Sequence, residues 1–170
     1  VDVSILAPTH IRLGLTVSQN DIFQILLTSQ QGHASNDPPR YRIIAQSDTP
    51  PEVTIIQPVS DIELSTADAL NLSVRMRDDF GLSKVFLRVK PRFEEERLLP
   101  LTIPDLRRES SAKVRVTLKS MGLVSGDYAT YSVVVEDNKP VTPNRGESET
   151  FTLHVSGDSI DQLALKDAPA

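Results

Sequence analysis

The residues best suited to chemistry in this chain are oxygen donors at the ends of apolar runs. They are Asp48, the adjacent pair Asp78 and Asp79, and Asp137 followed by Asn138. Carboxylate and amide oxygens are hard ligands, and calcium takes about six to eight of them at once. If these segments converge, they form a calcium site near an inter-domain junction, and no other cofactor is expected. The same residue types also hold turns, because Asp and Asn accept hydrogen bonds from nearby backbone and tolerate left-handed dihedrals. No Asp-x-Asp-x-Asp series gathers ligands into one loop. Turn chemistry is therefore the simpler reading, and calcium stands beside it.

Other reactive constellations do not assemble. His10, His33 and His154 lie in three separate segments without ligand spacing, and His154 alternates outward between Leu153 and Val155. A serine nucleophile needs a base and an orienting carboxylate around it, and the sequence has no Gly-x-Ser-x-Gly elbow or phosphate-cradling glycine loop. Cysteine is absent, which excludes thiol nucleophiles, zinc–thiolate sites and disulfides. An enzyme is not expected. The net charge of −5 carries no basic cluster, since Arg107-Arg108 is balanced by Asp105 and Glu109; a nucleic-acid footprint is not expected either. No stretch approaches the roughly 20 apolar residues that span a bilayer, so no membrane insertion by this segment is expected. The chain opens on Val1 and reads as a piece excised from a longer protein.

These donors must be positioned by strands. Leu70, Leu72, Val74 and Met76 alternate with Asn71, Ser73, Arg75 and Arg77, the period-two pattern of a half-buried strand. The alternation recurs at Val85–Val89, Val114–Leu118, Val133–Val135 and Phe151–Val155. An opening strand is predicted near Val53–Ile56 and a shorter one near Leu98–Ile103. Turn signals separate them at Asp78–Gly81, Pro91–Glu96, Pro104-Asp105, Ser125–Asp127 and Lys139–Gly146. Phe80 is expected to fold over the end of the core. Glu94–Glu96, between Arg92 and Arg97, is expected to be a solvated hairpin tip. No segment carries a sustained helical period; Ser159–Leu165 comes nearest and reads as a linker stub.

Short strands with regular turns predict an all-β sandwich. Asp127-Tyr128-Ala129-Thr130-Tyr131-Ser132-Val133 resembles the Asp-x-Ala-x-Tyr-x-Cys run of immunoglobulin domains, with Val133 in place of the cysteine. The resemblance implies an immunoglobulin-like antiparallel β-sandwich in which Tyr131 is the candidate corner tyrosine, its hydroxyl bonded back to the turn. Both disulfide cysteines and the core tryptophan are missing, so aliphatic burial alone must hold this core.

An internal repeat extends the reading. Phe23–Leu27 resembles Tyr131–Val135, and Tyr41–Ala45 resembles Phe151–Val155; Leu13, Leu15 and Val17 alternate as Val114, Val116 and Leu118 do. Residues 1–48 are thus expected to be the C-terminal part of an immunoglobulin-like module, a partial second sandwich with an extra strand at Val1–Leu6. A Pro-rich linker follows at 49–52, then a complete sandwich at 53–156 and a tail at 157–170. The partial module leaves an open edge, which should pack on the complete one, pair with a second copy as a homodimer, or be mobile.

Asp48-Thr49-Pro50-Pro51-Glu52-Val53, Arg77–Val85 with its Asp-Asp-Phe-Gly-Leu block, and Gly126-Asp127 leading to Val135–Asn138 resemble tandem immunoglobulin-like modules of large bacterial envelope proteins. Some of these belong to an uncharacterised membrane-anchored family. The resemblance implies an extracytoplasmic location and a non-catalytic structural or protein-interaction role, with neighbouring modules or another protein as partner. The alternative is a calcium-stabilised adhesion-type or ligand- and carbohydrate-binding module. Carbohydrate platforms use exposed Trp or Tyr, and this chain has no Trp and three Tyr.

Overall fold

In this computed structural model the described residues are 2–7 and 10–157. The predicted tail beyond Gly157, with Ser159–Leu165, lies outside them, as does Val1. The chain divides into two compact units, Val1–Ser47 and Asp48–Ala170, and both are all-β apart from one helical turn.

Unit 1 consists of two antiparallel pairs. β1 (Asp2–Ala7) pairs with β2 (His10–Gly14), and β3 (Asp21–Gln24) with β4 (Arg40–Ile43). Phe23 and Tyr41 stand directly opposite one another, their rings stacked 5.1 Å apart. The loop between these strands is closed by its own polar groups: Leu27 N–H donates to Ser35 Oγ, and His33 N–H to Ser29 Oγ. None of the described residues of this unit is buried, and Ile5 and Leu26 are 77% and 73% exposed. Leu15 and Val17 continue the sequence alternation past β2, and both lie outside the strands.

Unit 2 holds the core. β5 (Glu52–Gln57), β7 (Ala69–Arg77) and β10 (Glu109–Thr117) form one antiparallel sheet with β7 at its centre. The other sheet runs β6 (Ile62–Ser65), β13 (Phe151–Ser156), β11 (Tyr128–Asp137), β8 (Leu82–Pro91), β9 (Arg97–Pro100), with β12 (Arg145–Glu147) also on β11. Leu70, Leu72, Val74 and Met76 of β7 bury against Leu87, Val89, Val133, Val135, Leu153 and Val155 of the second sheet in one cluster. Full burial of such a side chain contributes about 1.5–3 kcal/mol. Alternation thus places the apolar positions as expected, and every predicted strand of this unit is present.

Several features depart from the sequence pattern. β6 pairs in parallel with β13, and neither it nor β12 carries an apolar alternation long enough to read. α1 (Leu118–Met121) is a single turn: Thr117 Oγ1 accepts from Ser120 N–H at 3.2 Å, and Leu118 and Met121 are buried beneath it. Arg97 donates to Met121 O at 2.8 Å and pairs with Glu94, while Arg88 Nε lies 3.2 Å from Glu96. The hairpin tip is exposed as expected, and ion pairs link it to its flanking strands. Phe80 is 39% exposed rather than folded over the core; its backbone N–H is held in a turn by Asp78 Oδ2. His154 faces outward as its alternation requires, but stacks on Tyr128 at 4.1 Å.

The corner role of Tyr131 is also corrected. β11 begins at Tyr128, so Tyr131 lies inside the ladder, opposite Phe151 and Val89. Its ring packs 6.0 Å from Phe151 and its buried hydroxyl makes no hydrogen bond. Burial, with a smaller contribution from the Asp61 charge, pushes this phenol up to about 12. Tyr131 is a core residue.

Candidate metal centre

One end of unit 2 collects the acidic residues. Asp78 directly follows β7, the central strand of the three-stranded sheet, and Asp137 is the last residue of β11 in the other sheet. Asp48 lies in the segment that leads into β5. One carboxylate oxygen from each of Asp48, Asp78 and Asp137 falls within 4.8 Å of the other two. Residues far apart in sequence thus meet because both sheets terminate at the same end.

Each aspartate is seated by its local turn. Asp78 Oδ2 accepts from Phe80 N–H at 2.8 Å and from Gly81 N–H at 2.5 Å, while its own N–H donates to Arg108 O. The turn needs Gly81: its φ is 149°, and a Cβ there would stand 2.9 Å from Asn138 Nδ2. Asp137 Oδ1 accepts from Lys139 N–H and Asn144 N–H, and Oδ2 from Asn144 Nδ2 at 2.8 Å. Ser83 Oγ donates to the carbonyl of Asp137. Asn138 N–H donates to Gly81 O at 2.8 Å, which binds the two turns to each other.

The entering chain is fitted just as closely. Pro51 O lies only 1.8 Å from where a Cβ on Gly146 would be, so strand β12 must present a bare backbone at that point. This contact brings residues 48–51 to the end of the sheets.

Not every oxygen is satisfied. Asp48 Oδ1, Asp78 Oδ1 and Asp79 Oδ1 are buried and have no hydrogen-bond partner. Asp78 is 6% exposed and Asp137 fully buried, while Asp48 and Asp79 are half-buried. Desolvation, then the charges of Asp137, Asp79 and Asp78, hold the Asp48 carboxyl above its ordinary range, and Lys139 acts in the opposite sense. A cleft of about 430 Å³ opens beside this group, lined in part by Thr49, Pro50, Arg77, Asp78, Asp79 and Arg108.

Of the five sequence candidates, Asp48, Asp78 and Asp137 come together. Asp79 adjoins them and its charge is felt at Asp48; Asn138 braces the Gly81 turn. Nothing in the sequence pattern marks Asn144 and Gly146 as participants, because one acts through hydrogen bonds to Asp137 and the other through its missing side chain. Chemically the arrangement offers hard anionic oxygens, some of them already used to fix backbone. Neither a protein-family model nor a curated protein matches the chain.

Proposed function

We propose that the chain is a non-catalytic structural and protein-interaction module of a larger bacterial envelope protein, exposed outside the cytoplasm. In this reading unit 2 is an immunoglobulin-like sandwich. β5, β7 and β10 take the places of strands A, B and E, and β8, β11 and β13 those of C, F and G. β6 is then the second half of a first strand divided between the sheets.

The observation that carries the modular reading is a shared cross-strand aromatic pair. Phe23 stands opposite Tyr41 in unit 1, and Tyr131 stands opposite Phe151 in unit 2, each pair joining two antiparallel strands. These are the four residues that the internal repeat brings into correspondence. Unit 1 is then the later part of a second module, and its exposed apolar residues are the surface available to a neighbouring module or a second copy. The polar groups at the end of unit 2 support a structural role, since Asp78, Asp137 and Ser83 spend their hydrogen bonds on backbone.

Location and association are tested separately. The segment has no cysteine, so Val124→Cys, at a position 66% exposed, gives it one thiol. In the full-length protein in intact cells with a permeabilised outer layer, a membrane-impermeant maleimide should label that thiol. Labelling only after lysis of the inner membrane overturns the envelope reading. Light scattering on the purified chain should give a concentration-dependent mass if unit 1 pairs with a second copy; a strict monomer removes the homodimer from the proposal.

A further inference from the structure

We propose that Asp48, Asp78 and Asp137 bind one calcium ion, which clips the chain entering unit 2 to the ends of both of its sheets. The inference goes beyond the modular reading and can fail without it.

The first support is an unsatisfied atom. Asp78 is 6% exposed, its Oδ2 is occupied by two backbone N–H groups, and its Oδ1 has no partner. A buried carboxylate oxygen left in that state costs free energy unless a cation or donor meets it. Asp48 Oδ1 is in the same condition. Hydrogen bonding within the turns therefore accounts for one half of the Asp78 carboxylate and leaves the other half without a partner.

Geometry supplies the second support. The three ligand oxygens lie within 4.8 Å of one another. Calcium holds oxygens at about 2.3–2.6 Å, so ligands facing each other across the ion stand up to about 4.6–5.2 Å apart. The group fits one coordination sphere, and Asp79 adds a further negative charge beside it. Water entering from the adjoining cleft would fill the remaining positions.

Charge supplies the third. None of these four carboxylates forms an ion pair among the described residues. Two of the neighbouring cations are engaged elsewhere: Lys139 Nζ donates to Asn144 Oδ1 at 3.3 Å, and Arg108 Nε to Phe80 O at 3.3 Å. With carboxylate oxygens alone and no thiolate or imidazole in the group, the donor set suits a hard cation rather than zinc. Magnesium prefers a tighter, near-ideal octahedron and keeps its waters, so calcium is the better match for carboxylates carried on three separate segments.

The test uses the whole chain after dialysis against chelator. Calorimetric titration with calcium chloride should show one site, and millimolar calcium should raise the melting temperature by about 5 °C or more. Asp48→Asn, which removes no hydrogen bond from a turn, should keep the far-UV circular dichroism and weaken calcium binding at least tenfold. Asp78→Asn retains an oxygen for the Phe80 and Gly81 amides and should weaken it similarly. Absence of both heat and melting shift overturns the site, as does unchanged affinity in both variants. An equal response to magnesium chloride overturns the assignment to calcium.

Discussion

The two units carry similar alternating apolar runs and end up in opposite conditions. In unit 2, Leu87 and Val133 are fully buried between two sheets; in unit 1, Ile5 on a two-stranded pair and Leu26 in the connection after β3 remain mostly exposed. The pattern of a strand is thus a local property, whereas a core is a property of two faces that meet. A single pair of strands is marginal in water. The contrast between the units is one of packing, since strands in both carry alternating apolar residues.

Removing one leucine from each unit puts that contrast under the greatest strain. Leu87→Ala should destabilise unit 2 by about 2–5 kcal/mol in urea denaturation, while Leu26→Ala should change stability by no more than about 0.5 kcal/mol. If Leu26→Ala costs as much as Leu87→Ala, unit 1 has a buried face in solution and the contrast fails. Gly146→Ala should have an intermediate effect, about 1–3 kcal/mol, because its methyl group would collide with Pro51 O. Hydrogen exchange should then show the loss of protection concentrated in residues 49–57 and 145–147, without change at β8.

A weaker response is expected from pH. The Asp48 carboxyl titrates above its ordinary range in the folded chain, so ionising it weakens folding. That penalty is absent in acid, where Asp48 is protonated in both states, and develops as pH rises through the raised value. With chelator present, Asp48→Asn should therefore raise the melting temperature at pH 7 and leave it nearly unchanged at about pH 3. A lower melting temperature at pH 7 would mean that Asp48 helps the metal-free fold.

The legible stretches of the sequence are those governed by period. Val74 and Met76, or Leu153 and Val155, announce a buried face because each neighbour is polar or outward-facing. β6 and β12 are not legible, since four and three residues are too short for a pattern and their ladders depend on distant partners. Tyr131 misleads for a related reason: its motif has the form of a strand entry, and three residues of register separate that position from the interior of a ladder. At the candidate site, Asp48, Asp78 and Asp137 are visible as residue types at strand ends. Their convergence is not, because it follows from two sheets terminating together. Gly146 is invisible as a site residue; what it contributes is the space it leaves.

The parallel pairing of β6 with β13 bears on how unit 2 carries load. Ile62–Ser65 and Phe151–Ser156 run side by side in one direction, and the chain departs from them at opposite ends. A pull that reaches these strands from the two ends of the unit slides one along the other. Their rungs are then strained together in shear, whereas an antiparallel hairpin pulled from its open end unzips rung by rung.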